Sequence, residues 1–170
     1  MLKIDLHGPV IPGESAAGLH LGIELGDCFD LFKDHQFVRY YEGFNLNARI
    51  QSNRGLLRVD GLPGTSGATL FAGPDRVRLS FSARGVLGSM YVFQGYAGDY
   101  RGIKIGDPLS AIAGTEPVEY NSDDEMYYRV DHSGRILPGL AIVALEIDST
   151  SNSQSVIKGF CVHDWALFQD

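Results

Sequence analysis

An eight-residue pattern occurs twice in this chain, and it limits the fold more than any other feature. Residues 18–25 read GLHLGIEL and residues 102–109 read GIKIGDPL, 84 positions further on in a chain of 170. Two glycines and a leucine coincide, Leu19/Ile103 and Leu21/Ile105 exchange like for like, and His20 stands opposite Lys104. A second correspondence lies later in each half, VLGSMYV at 86–92 against VIKGFCV at 156–162. One supersecondary unit used twice accounts for both matches. The halves divide at 1–100 and 101–170.

Between the two landmarks the pattern is that of short strands. The 21 glycines exceed the usual share and fall mainly between alternating apolar runs, where tight turns need a positive φ. Strands are expected at 2–6, 37–41, 46–50, 55–59, 68–71, 77–81 and 86–93, and in the second half at 118–120, 126–130, 140–147 and 156–162. Leu25, Cys28, Phe29 and Phe32 fall at i, i+3, i+4 and i+7, with Asp27, Asp30, Lys33 and Asp34 opposite, the spacing of an amphipathic helix. Asp107-Pro108 reads as a helix start, followed by Leu109, Ile112 and Ala113 and stopped by Gly114. Residues 61–67 and 149–155 read as loops. The apolar tail, 163–168, is expected to pack back on the body. Neither half alternates strand and helix as a parallel sheet requires. The expected fold class is therefore α+β: two tandem modules, each a helix on an antiparallel β-meander, with one shared sheet as an arrangement open to them.

Composition removes several functions. A net charge of −7 without a basic, aromatic-interleaved stripe argues against nucleic-acid binding. No apolar run approaches the roughly 20 residues of a membrane span. The opening residues lack the basic and apolar regions of a secretion signal, so a cytoplasmic location is expected. Cys28 and Cys161 each sit in an apolar pattern and read as buried free thiols. Neither the cysteines nor the five histidines have metal-ligand spacing, and no metal or cofactor is expected.

The glycine stretches lack the third glycine or the lysine of nucleotide-binding loops. No Gly-x-Ser-x-Gly occurs. Cys161 with His163 is the one arrangement that could serve a small hydrolase. A small-ligand module with an apolar pocket between sheet and helix is a further alternative. The densest charge cluster is Asp123-Asp124-Glu125, too irregular for a calcium loop. It reads either as a solvated turn or as an acidic patch for a basic protein partner. Tyrosine buries a large ring while keeping a polar tip, so Tyr96, Tyr100, Tyr127 and Tyr128 are the expected interface anchors beside that patch.

The two stretches Gly18–Leu25 and Gly102–Leu109, with closing strands 86–92 and 156–162, resemble a pattern of small bacterial proteins, G-[IL]-x-[IL]-G-x-x-L leading into a helix and meander. Such proteins are similar to immunity proteins encoded beside polymorphic toxins of contact-dependent or type VI secretion systems. The tandem layout also resembles β-lactamase-inhibitor-like modules, which bind proteins with a concave sheet. The resemblance implies a non-catalytic protein that occludes the active site of a cognate, basic toxin. It carries no catalytic residues.

Overall fold

Alternation builds the sheet. Val77, Leu79 and Phe81 are buried on one face while Arg78 and Ser80 between them turn to the other, as the two-residue period of a strand dictates. The computed structural model describes residues 3–32, 35–145 and 155–169. Its fold is α+β and mostly sheet. A two-residue pair, β1 (Ser15–Ala16) and β2 (Leu19–His20), precedes the main sheet. The first half then supplies β3 (Gln36–Arg39), β4 (Leu56–Asp60), β5 (Ala68–Ala72), β6 (Val77–Phe81) and β7 (Leu87–Val92). The second supplies β8 (Val118–Asn121), β9 (Met126–Val130), β10 (Ile136–Leu145) and β11 (Val156–His163). All nine lie in one sheet of order β3-β4-β5-β6-β7-β11-β10-β9-β8. Every pairing is antiparallel except β3 with β4.

The repeated stretch makes the same hydrogen bonds twice. Gly22 N–H donates to Leu87 O at 2.9 Å, Leu87 N–H to Ile23 O at 2.9 Å, and Leu25 N–H to Gly85 O at 2.7 Å. In the second half Gly106 N–H donates to Ile157 O at 2.9 Å, Ile157 N–H to Asp107 O at 2.9 Å, and Leu109 N–H to Ser155 O at 2.7 Å. Each glycine stretch thus clips onto the start of its half's closing strand. Gly22 (φ +85°) and Gly106 (φ +99°) turn the chain into that clip in a conformation that side chains disfavour.

The main core lies on one face of the sheet. Leu70, Leu79, Met90, Val92, Phe160, Val162, Leu140 and Ile142 meet Leu19, Tyr100 and Ile112 from the glycine-rich segments there. Full burial of such side chains contributes about 1.5–3 kcal/mol each. The opposite face carries two smaller clusters, one under the helix of the first half (Ile50, Leu57, Val59, Phe71) and one in the second half (Met126, Tyr128, Ala141, Cys161).

Several expectations need correction. Residues 46–50 form not a strand but the helix α1 (Leu46–Ser52), capped by Asn45, whose side chain accepts from Ala48 N–H at 3.0 Å. Positions i and i+4 share a face in both a strand and a helix, so Leu46 and Ile50 alone do not discriminate; the cap decides. With α1 between them, β3 and β4 run parallel, a strand–helix–strand unit where none was expected. The segment Leu25–Phe32 is a 3-10 helix rather than an α-helix. Gly26, Asp27, Cys28 and Asp30 are weak helix formers. The side chains of Phe29 and Phe32, and residues Lys33 and Asp34, lie outside the described residues.

Asp107 does not cap a helix. Its carboxylate accepts from Lys104 N–H at 2.8 Å and closes the glycine turn, and the helix that follows, α2 (Ser110–Ala113), is one turn long. Ile4 and Leu6 of the expected opening strand are coil packed on the core, and Leu2 lies outside the described residues. So do Ile147, at the expected end of β10, and residues 149–154 of the expected loop. The tail does pack back. Trp165–Phe168 is a 3-10 turn, and its Phe168 ring fills the space that a Cβ at Gly88 would need.

Candidate partner-binding hairpin

The acidic run lies at the tip of the hairpin formed by β8 and β9, at the outer edge of the sheet. Asn121 pairs with Met126, leaving residues 122–125 as a four-residue turn. Two side chains shape it. Asn121 Oδ1 accepts from Asp123 N–H at 2.9 Å, and Asp124 Oδ1 accepts from Met126 N–H at 3.3 Å. Such side-chain-to-backbone bonds are the reason Asn and Asp initiate turns. Glu125 closes the turn at φ +57°, a conformation that glycine or asparagine adopts at lower cost.

The three carboxylates differ in their freedom. Asp124 is tied to the fold, because Tyr128 donates its hydroxyl to Asp124 Oδ2 at 2.5 Å. Asp123 and Glu125 are exposed. The ion pairs of the described residues join Arg58 to Asp60, Arg78 to Asp75, Arg101 and Arg129 to Glu116, and Arg135 to Asp131. None of them uses the turn.

The expected tyrosine anchors divide in the same way. Tyr96 is buried; its hydroxyl accepts from Ala17 N–H at 3.1 Å and donates to Gly8 O at 2.5 Å, pinning the amino-terminal segment. Tyr100, 1% exposed, donates to Glu116 Oε1 at 2.5 Å and accepts from Arg129 at 3.1 Å. Tyr128 is 4% exposed. Burial, reinforced by the neighbouring carboxylates, pushes the Tyr100 and Tyr128 hydroxyls up, so both keep their protons and go on donating. These three rings hold the fold together.

Tyr127 alone of the four stands beside the patch with part of its surface open. Its cross-strand partner is Tyr120, 54% exposed, with ring centroids 5.0 Å apart. Reading the tyrosines by proximity in sequence misses Tyr120. Closing the hairpin at Asn121 and Met126 finds it, because that register puts residue 120 opposite 127.

The Cys161–His163 arrangement does not activate a nucleophile. Cys161 is fully buried, and burial pushes its thiol up to about 12. His163 accepts from Gly139 N–H through Nε2 at 3.3 Å, and its Nδ1 lies 3.3 Å from Cys161 O. Both ring nitrogens are engaged with backbone. Burial holds the ring below its ordinary value, hence neutral.

A pocket does lie between sheet and helix, a cavity of about 440 Å³ bounded by Leu46 and Ile50 of α1 and by Phe71 and Tyr91 of the sheet. Among the described residues no helix is long and apolar enough to cross a membrane, and no three His, Cys, Asp or Glu side chains gather as metal ligands. Comparison with protein-family models, with curated proteins and with solved structures finds no match to this chain.

Proposed function

We propose that this chain is an immunity protein that binds a cognate toxin in the bacterial cytoplasm and blocks its active site without chemistry of its own. The observation that carries the reading is the β8–β9 hairpin, where Asp123 and Glu125 face solvent one rung beyond the exposed Tyr120–Tyr127 pair. Unpaired carboxylates speed the approach of a basic partner, and aromatic rings that become buried on contact slow its departure. Glu125 adds to the argument: an acidic residue kept where glycine is cheaper points to a use for its charge. The chain is further read as two modules, 1–100 and 101–170, joined along β7 and β11; the repeated hydrogen-bond triplet supports that reading.

The experiment is co-expression with the product of the adjacent reading frame. The proposal expects that product to kill cells alone, to be tolerated with this chain, and to co-purify with it. A harmless neighbour, or a lethal one that this chain neither binds nor counters, contradicts the proposal.

A further inference from the structure

The sheet face opposite the main core carries a row of hydroxyls that the hairpin reading does not use. Thr69, Ser80 and Ser89 are successive cross-strand partners on β5, β6 and β7. Val59 extends the row at one end and His163 at the other. Neighbouring strands are about 4.8 Å apart, so the three hydroxyls span about 10 Å. Beside them runs a second row, Phe71, Arg78 and Tyr91.

The space above these rows is a groove. One cavity of about 560 Å³ lies over Ser80, Ser89 and Tyr91 and is walled by Trp165 and Phe168. The cavity of about 440 Å³ under α1 lies over Thr69, Ser80 and Tyr91 and is walled by Tyr40 and Phe44. Both are bounded by Thr65 of the overhanging loop and share Ser80 and Tyr91, so they are the two ends of one cleft. Each end falls within the range of small-molecule sites.

One atom in this cleft lacks what a folded protein normally supplies. Thr69 is 2% exposed, and its Oγ1 has no hydrogen-bond partner among the described residues. A buried hydroxyl without a partner is costly, and native proteins carry few of them. Thr69 borders the cleft, and a ligand group that displaces the atoms covering Oγ1 would complete it.

We propose that the cleft binds a small, uncharged, polyhydroxylated ring compound, a mono- or disaccharide. A hydroxyl both donates and accepts, so a floor of hydroxyls matches ligand groups that do the same. Aromatic rings at the two ends offer apolar faces to ring carbons. Arg78, the cation among the described residues that line the two ends, is not available to an anion. Arg78 gives Nε and a terminal nitrogen to the Asp75 carboxylate at 3.2 and 2.5 Å. Its guanidinium carbon also lies 5.1–5.4 Å from the ring centres of Phe71, Tyr91 and Phe93. Neutral charge and hydroxyl complementarity together select a sugar over a phosphate or carboxylate. This site is separate from the β8–β9 hairpin and stands or falls without the toxin partner.

Trp165 is the only tryptophan in the chain and forms part of the cleft wall, held by its stack on His163 at 4.2 Å. Titration of the isolated full chain with N-acetylglucosamine, galactose, cellobiose and maltose, followed by Trp165 fluorescence and by saturation-transfer NMR, reads binding directly. The expected result is saturable binding of at least one of these probes with a Kd of about 1 mM or tighter, and no tighter binding of glucuronate or glucose 6-phosphate. Thr69→Val removes the unpartnered hydroxyl at nearly constant shape. It is expected to melt no lower than the parent and to bind the same probe about tenfold more weakly. Silence of all four neutral probes in both readouts, stronger binding of the charged ones, or undiminished binding by a folded Thr69→Val variant overturns the proposal.

Discussion

Tyr91 and Cys161 are cross-strand partners on β7 and β11, and they also hold the same place in the similar stretches 86–92 and 156–162. Around them Met90 pairs with Val162 and Val92 with Phe160, each residue facing the counterpart of its neighbour two places along. The seam between the halves is therefore symmetric about this one pair. Burial pushes both the Tyr91 hydroxyl and the Cys161 thiol up, so both keep their protons.

Burial makes both cysteines unreactive in the native state, Cys161 in the seam and Cys28 in the 3-10 helix Leu25–Phe32. Burial raises the Cys161 thiol to about 12 and the Cys28 thiol to about 11, and both side chains are fully enclosed. An aromatic disulfide reagent at pH 8 is expected to titrate two thiols in denaturant and almost none in the native protein over the same minutes. Rapid native modification at Cys161 would revive the Cys–His hydrolase reading.

The twin clips predict twin energetics. A Cβ at Gly22 or at Gly106 would meet nothing within 4 Å among the described residues, so alanine at either position adds the strain of a positive φ. Gly22→Ala and Gly106→Ala should each destabilise by about 1 kcal/mol in urea unfolding, with effects equal within about half of that. An inert substitution at one site beside a costly one at the other would mean that the two stretches are not mechanically equivalent.

Glu116 should separate a buried charge pair from a surface one. It holds Arg129, whose side chain is 9% exposed, at 3.3 Å and Arg101, 68% exposed, at 3.2 Å. Glu116→Ala leaves the Arg129 cation enclosed and unpaired and is expected to cost about 3 kcal/mol. Arg101→Ala should cost less than about 0.5 kcal/mol. Chemical denaturation of both variants checks the contrast.

Stability should fall as the solution is acidified through the histidine range, and His163 is the reason. Burial lowers its folded pKa below the ordinary 6.5, so at and just below that pH the unfolded chain takes up more protons than the native one. The contribution is complete above pH 6.5 and is lost progressively below it. His163→Gln, which still offers an acceptor to Gly139 N–H, should flatten the dependence of melting temperature on pH between 6.5 and 5. An unchanged slope would assign the acid sensitivity elsewhere.

Much of this architecture was legible in residue order, and the failures have physical causes. The alternation of Val77–Phe81 and the turn glycines marked strands of the sheet, because strand period and turn residues are local signals; the pairing of β7 with β11 is a long-range contact that no local signal carries. The α1 helix is not legible from Leu46 and Ile50, whose spacing suits both periods; the Asn45 cap decides between them. The parallel entry of β3 depends on that helix and was lost with it. At the hairpin, the carboxylates were readable as a charge run. Which tyrosines stay outside was not, because burial of Tyr96, Tyr100 and Tyr128 depends on Gly8, Glu116 and Asp124 arriving from distant or folded-back segments.

The most direct test of the account is the association rate between this chain and the proposed toxin partner, measured across a salt series. Reversal of Asp123 and Glu125 to lysine, with Asp124 left in place to hold Tyr128, should slow association about tenfold at low salt and flatten its salt dependence. Tyr120→Ala should leave that rate nearly unchanged and speed dissociation. Association of the double lysine variant at the parent rate and with the parent salt slope would contradict the assignment of the β8–β9 hairpin as the binding surface.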